Sequence, residues 1–348
     1  MTIATVSRNP GRRRMLKASL ALAAAPAVIG TARAQSSVTW KVQSHWPKAS
    51  GSYKDSLEVL ATELEKRTNG RFKFQMSGAG EIAKGPEVYN VVRRGVVEMG
   101  TISPAYILGE AQCMGIAYGV PGTLREPWEM EHLMKNLGVE ALVNQELEPK
   151  GVILRCEKIY PTELVVKKPI RSMDDFKALK LRSAGTMLDY LAGAGASPTT
   201  IQGPELYQAL STGVVDGAHW GAAIGALSMK LWEVAKFHMK PALGMSADAF
   251  IINKAALEKL PEDLRLKLMA LVEERFFRRS AEYSHKEAIA LTKGRQTMGV
   301  EVMQFPPAVL ARFAEASKAI LAKELDKGDL AKKGGEALVG LMRDLGYA

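Results

Sequence analysis

Cysteine is nearly absent from this chain: Cys113 and Cys156 are the only two among 348 residues. A disulfide scaffold or a cysteine-built metal site needs a denser cluster, so neither organises this protein. Sequence leaves open whether the two thiols pair, because a bridge requires Cα atoms within about 7 Å. Histidine is scarce as well. His45, His132, His219, His238 and His285 form no His-Glu-x-x-His motif and no pair with metal-ligand spacing. No Gly-x-Ser-x-Gly elbow, no Walker sequence and, beyond the leader, no Ser-x-x-Lys occurs, so no nucleophile–base pair can be assigned. Past the amino-terminal segment no apolar run approaches the about 20 residues of a membrane helix, so the mature chain is expected not to be membrane-embedded.

What the amino terminus does have is an address. Arg12, Arg13 and Arg14 precede an Ala/Leu-rich run from Ala18 to Ile29, and Ala32-Arg33-Ala34 ends it as a small-residue cleavage site. The Arg pair before Met15-Leu16-Lys17 reads as a twin-arginine signal over residues 1–34, with an ordinary secretory signal as the alternative. The mature protein is then expected in the periplasm, without a lipid anchor, since no Cys stands at the cut. Setting aside Arg8, Arg12, Arg13, Arg14, Lys17 and Arg33 lowers the formal charge from +10 to +4. A nucleic-acid partner loses its main support with those cations. The remaining 314 residues exceed one ordinary core, which implies two domains.

Hydrophobic periodicity alternates between two and about 3.6 along the chain. Val38–Ser44 reads as a strand, and Tyr53–Thr68 as a helix with Leu57, Leu60, Ala61 and Leu64 on one face. Arg71–Met76, Val96–Ile102, Val152–Cys156 and Phe250–Ile252 read as further strands, with a helix over Pro86–Arg94. Strands alternating with helices predict an α/β fold with largely parallel sheets. A Pro-initiated helix from Pro261 can run to about Lys293, roughly 50 Å, long enough to lie across two domains. The tail from Pro307 onward reads as helical, interrupted at Gly334-Gly335. Gly78-Ala79-Gly80-Glu81-Ile82-Ala83 fits a loose dinucleotide pattern, but Gly85-Pro86 delays the next helix, and a plain turn is expected.

The densest cluster of binding candidates lies between Phe176 and Trp220. Arg182 ends a short apolar run, where a strand would present its guanidinium at the ligand-binding end of an open sheet. That planar fork can hold a carboxylate bidentately. The turn Asp216-Gly217-Ala218-His219-Trp220 offers His219 as a polar contact and Trp220 as a pocket wall. Trp46 and Tyr106 sit in loops after strands, where packing and ligand contact are equally open. Asp216 reads as a turn cap.

Four segments together resemble the periplasmic solute-binding subunits of tripartite ATP-independent periplasmic (TRAP) transporters, DctP type. They are GEIAKGPEVYNVVRRGVVEMG (80–100), FKALKLR (176–182), GASPTTIQGPELYQALSTGVVDG (195–217) and INKAALEKLPEDLRLKL (252–268). The resemblance implies an α/β, two-lobed periplasmic binding protein (type II-like) with extended crossing strands and a long inter-lobe helix. Lobe I would comprise residues 37–158 plus about 248–287, and lobe II residues 159–247 plus about 288–348. It implies that Arg182 clamps a carboxylate and that the partners are a small organic acid and the transporter's membrane subunits. VVDGAHW resembles the 2-oxo-acid branch, where an acid and a Gln help bind sodium. Here His219 replaces the acid and the crossing strand carries Tyr160, Thr162 and Glu163 without a Gln. No cofactor is implied for certain, a bound cation remains open, and Glu163 is the residue that could compensate or pair with His219. The sialic-acid branch has a second Arg in that strand, which this chain lacks. The expected function is capture of a 2-oxo, hydroxy or aromatic carboxylate. The competing class is a secreted enzyme on an organic acid, with His219 as general base.

Overall fold

The computed structural model describes residues 1–2 and 37–347, so the expected signal segment lies outside the described residues. Eleven strands occur among the described residues. They are β1 (Val38–Gln43), β2 (Phe72–Ser77), β3 (Met99–Ile102), β4 (Val152–Thr162), β5 (Val165–Val166), β6 (Lys180–Arg182), β7 (Ser197–Thr199), β8 (Gly217–Ala218), β9 (Phe237–Lys240), β10 (Gly244–Asn253) and β11 (Glu301–Gln304). They form two sheets, ordered β2-β1-β3-β10-β4 and β11-β9-β5-β8-β6-β7. β1 pairs parallel with β2 and β3, whereas β10 runs antiparallel to both β3 and β4. The second sheet is mixed too: β5 runs antiparallel to β8 and β9. The expectation of largely parallel sheets is thus corrected at the long pair β4–β10, which is antiparallel although strands β5 to β9 of the second sheet intervene between its two members.

Local sequence accounts for the helices. Leu57, Leu60 and Leu64 are wholly buried, matching their 3.6-residue spacing, and pack in a cluster with Trp40 and Phe72 under the first sheet. β10 is buried along its entire length, which is why its Phe250–Ile252 segment read as strand but its polar start did not. The long helix runs Glu262–Thr297, four residues past the expected end. Its first half places Leu264, Leu268, Leu271 and Val272 in the first sheet's core. Near its end Ala290 joins the second sheet's core beside Trp232. A side chain at Gly294 would meet the Trp232 ring at 2.8 Å, so a helix-weakening glycine is required there.

The chain passes between the two sheets three times. It leaves β4 at Thr162 and enters β5 at Val165, returns from β9 at Lys240 to β10 at Gly244, and leaves again from Asn253 through the long helix to β11. These passages make the two-lobed fold with extended crossings and an inter-lobe helix. The tail departs from expectation. Two helices, Pro307–Leu325 and Asp329–Asp344, break at Gly328 (φ 143°), and Gly334-Gly335 lie inside the second helix. There they permit close approach: a Cβ at Gly334 would stand 2.9 Å from the Cys113 sulfur, and one at Gly335 would collide with Leu325. Cys113 and Cys156 are both free and buried.

Gly119 caps the short helix Met114–Tyr118 with φ 121°, and a Cβ there would collide with the Met245 carbonyl oxygen of β10. Gly119→Ala is therefore expected to cost about 3 kcal/mol, through strain plus a backbone clash. Urea unfolding checks this, and an unchanged midpoint at unchanged slope would refute it.

Candidate functional site

β6 is three residues long and ends on Arg182, beside β7 and β8 in the second sheet. Arg182 is 3 % exposed. Nε donates to the Ile201 carbonyl at 3.0 Å and Nη1 to the His219 carbonyl at 2.8 Å. These bonds hold the fork rigid without neutralising it. Among the described residues no carboxylate stands within 4 Å of it. The guanidinium carbon lies 4.9 Å from the centroid of the Trp220 ring, a cation–π contact. Gly203 leaves room for that indole: a Cβ there would be 2.5 Å from the ring.

Arg182 faces a cleft bounded on the other side by residues of the first sheet. Trp46, Tyr106, Trp220 and His219, all expected near a ligand, line it together with Arg182. Trp46 is buried, its ring tilted 44° against that of His45 with centroids 4.6 Å apart, and its backbone nitrogen donates to Ser44 Oγ at 2.9 Å. Tyr106 lies in the single turn Pro104–Tyr106 that follows β3, with its hydroxyl in reach of the Arg182 charge. His219 contributes its carbonyl to Arg182 and its ring Nε2 to Ser183 Oγ at 3.0 Å. Burial, with Arg182 adding to it, pushes the His219 pKa down to about 3. A ring so reluctant to take a proton is a poor general base, which counts against the enzyme reading.

Glu163 is corrected by the structure. It does not line the cleft, and it does not pair with His219. Its carboxylate bonds His238 Nε2 at 2.5 Å and Lys240 Nζ on the neighbouring strand β9. Burial pushes this carboxyl up, but those two partners outweigh it and hold it below its ordinary value. The reason is register: Val165 stands opposite His238, so the residue two before it falls beside Lys240. Among the described residues no group of three His, Cys, Asp or Glu side chains is placed to hold a metal. With His219 committed to Ser183 and Glu163 to β9, the donors present do not make a carboxylate cage for a cation.

Several cleft residues escaped sequence reasoning. Lys158 and Tyr160 come from β4, Asp248 from β10 and Tyr283 from the long helix. Lys158 Nζ is 2.6 Å from Asp248 Oδ2, and the Tyr160 hydroxyl donates to Asp248 Oδ1 at 3.2 Å. The signal was present: Glu157-Lys158 and Asp248 are charges inside otherwise apolar strands, which a sheet interior tolerates only when they are paired. His45 also lines the cleft, its Nε2 3.8 Å from Asp248 Oδ1. Burial, with Lys158 assisting and Asp248 opposing, brings its pKa down to about 4. Below the cleft, Glu287 of the long helix accepts from the Ile224 nitrogen at 3.1 Å. Burial, with Glu163 adding to it, pushes its pKa up to about 8.

Residues 43–327 match the model of a family described as bacterial extracellular solute-binding protein, family 7 (DctP). The chain is 28% identical over 244 residues to a monocarboxylate 2-oxoacid-binding periplasmic protein of Nostoc sp., covering 65% of this chain and 63% of that protein. It is 27% identical over 317 residues to a solute-binding protein of Albidiferax ferrireducens, covering 88% and 92%. Its fold is shared with a TRAP transporter solute-binding protein of Bordetella bronchiseptica, solved with calcium and picolinate. The TM-score is 0.81 at 20% identity, over 89% of this chain and 93% of that one.

The buried titrating groups set a pH optimum. Glu287 has a folded value near 8 and an ordinary value of 4.5, so its contribution is fully present below 4.5 and lost as pH rises through 8. His45 and His219, ordinarily at 6.5, act oppositely: their contribution is present above 6.5 and lost as pH falls toward 4. Glu287→Gln keeps an acceptor for Ile224 and removes the titration. Its stability relative to wild type should rise from pH 5 to pH 8, read as the difference in unfolding midpoints. A constant difference across that range would contradict the assignment.

Proposed function

The chain belongs to bacterial extracellular solute-binding protein family 7, and from that premise we propose that it captures a small organic acid outside the cytoplasm. It then delivers the acid to the membrane subunits of a TRAP-type transporter. The observation that carries this reading is Arg182, a buried guanidinium rigidly held by two carbonyls and left without a carboxylate. Burying an unmatched charge is costly, and the missing anion is what a ligand would supply. The relatives' bound acids, among them a 2-oxoacid, picolinate, pyruvate and pyroglutamate, support a carboxylate as that anion. Ligand classes for this chain are 2-oxo, hydroxy and aromatic carboxylates. Trp220, Trp46 and Tyr106 cover the body of the ligand.

The periplasmic names of the relatives and the expected leader together support a periplasmic location. The first sheet with about residues 248–287 forms one lobe and the second sheet with the helix Pro307–Leu325 the other, while the last helix, Asp329–Asp344, packs back against the first lobe's segment 113–147. Closing the lobes over the acid removes water from the Arg182–carboxylate pair and strengthens it. It also turns occupancy into a shape that a membrane partner can read. No step of this reading requires turnover.

Arg182→Ala should weaken binding of the best-bound acid by at least about a hundredfold, since breaking a buried pair costs several kcal/mol. Arg182→Lys should recover only part of this, because an ammonium cannot reproduce the fork. Isothermal titration calorimetry decides, and wild-type affinity in Arg182→Ala would overturn the clamp. Sodium and calcium occur beside the acid in relatives. With no carboxylate cage at His219 and Glu163, affinity here should change less than about threefold on adding either cation at fixed ionic strength. A cation requirement in the same titration would refute that.

A further inference from the structure

β4 and β10 pair out of step at one point. Lys158 stands opposite Asp248 and Cys156 opposite Ala249, which leaves Glu157 as an extra residue, a β-bulge. A bulge interrupts the alternation of faces and re-aims the side chains beside it. Here it sets two consecutive charged residues, Glu157 and Lys158, into the interior, each 1 % exposed. Lys158 Nζ lies 2.8 Å from Glu157 Oε2 and 2.6 Å from Asp248 Oδ2, and the other Glu157 oxygen lies 3.7 Å from Arg279 Nε. Two buried cations are thereby matched by two buried anions. Of the two further carboxyls nearby, Glu163 is matched by Lys240, and Glu287 is kept largely neutral by burial. Among the described residues that line the cleft, Arg182 is a cation with no carboxylate within 4 Å, so the cleft carries one surplus positive charge.

Given the receptor reading above, on which this rests, we propose that the protein selects monocarboxylates over dicarboxylates. The Lys158–Asp248 pair is the specificity-determining element. A second ligand carboxylate would need a second unspent cation. Lys158 is already bonded to two acids, and the newcomer would stand near the Asp248 carboxylate in the same small cleft. Arg182 and Asp248 line the same cleft together with Tyr106 and Tyr118, so a ligand held by one pole faces the other. A neutral polar group is served well instead. Lys158 keeps one ammonium proton beyond its two carboxylate bonds, and Asp248 Oδ1 and the Tyr160 hydroxyl supply acceptors. The ammonium also lies 4.5 Å from the Trp46 ring centroid and 4.9 Å from that of Tyr160, which steadies it out of water. Specificity then comes partly from repulsion, as discrimination between similar ligands usually requires.

The test is calorimetric titration with acids matched in all but the second carboxylate: lactate against malate, and 2-oxobutyrate against 2-oxoglutarate. The monocarboxylate should bind tighter by about a hundredfold or more in each pair, as expected for like charges brought together in an interface. Asp248→Asn should narrow that ratio at least about tenfold by relieving the repulsion. A dicarboxylate that binds as tightly as its partner overturns the proposal, and this wild-type comparison stands even if the variant does not fold. A ratio unchanged in a folded Asp248→Asn overturns the role given to the pair. Binding of neither member of either pair would instead count against the receptor reading, and with it this proposal.

Discussion

A permanently charged guanidinium held out of water without a counterion is the constraint around which the rest of this molecule is arranged. Arg182 cannot lose its proton to escape the cost of burial, as a lysine could. Its two backbone bonds, to Ile201 and His219, fix its direction while leaving its charge intact. The neighbouring groups are arranged not to spend that charge. His219 turns its ring to Ser183, Glu163 is drawn away to His238 and Lys240, and Asp248 is bound by Lys158. Each of these acids or bases could have satisfied Arg182 internally. Each is held elsewhere by its strand register.

The cleft is built between two sheets, largely from residues at or just after the ends of interior strands, and its chemistry divides between them. The second sheet supplies the anion hook and Trp220 beside it, and loops after β1 and β3 of the first supply Trp46 and Tyr106. The first supplies a charge-neutral, hydrogen-bonding wall from the β4–β10 pair. The long helix contributes Tyr283 to the cleft, while Arg279 and Glu287, one turn to either side on the same face, support Glu157 and Ile224 behind it. It is therefore both the spine joining the lobes and part of the floor, so ligand contacts on that floor bear on the element that links the lobes.

Much of this was legible from residue patterns. The long helix showed in its 3.6-residue repeat and its proline start, and Arg182 showed because it closes an apolar run. Trp46 and Tyr106 stand out by their place in loops after strands and Trp220 by its place after a glycine-bracketed turn, and all three line the cleft. What stayed hidden depended on pairing between distant strands. Glu163 reads as a residue that could compensate for the missing acid or pair with His219, but the β5–β9 register brings His238 and Lys240 to it instead. Lys158 and Asp248 are 90 positions apart, and a bulge that no local motif announces sets them face to face. The Gly334-Gly335 pair misled for a related reason. A glycine pair reads as a break when its packing partners, Cys113 and Leu325, are not yet known.

Neither sheet is built from a continuous stretch of chain. β4 finds its partner only when β10 has been made, with Val152 joining Asn253 at one end and Thr162 joining Gly244 at the other. Everything from β5 to β9 is a loop from the first sheet's point of view, and it must close before that sheet is complete. Such long-range pairings are slow, because chain entropy is surrendered before contacts return it. During synthesis the nascent polypeptide therefore stays unfinished until residue 253 is available. No single cut at a passage would release a self-sufficient half, since either fragment lacks strands that the other retains.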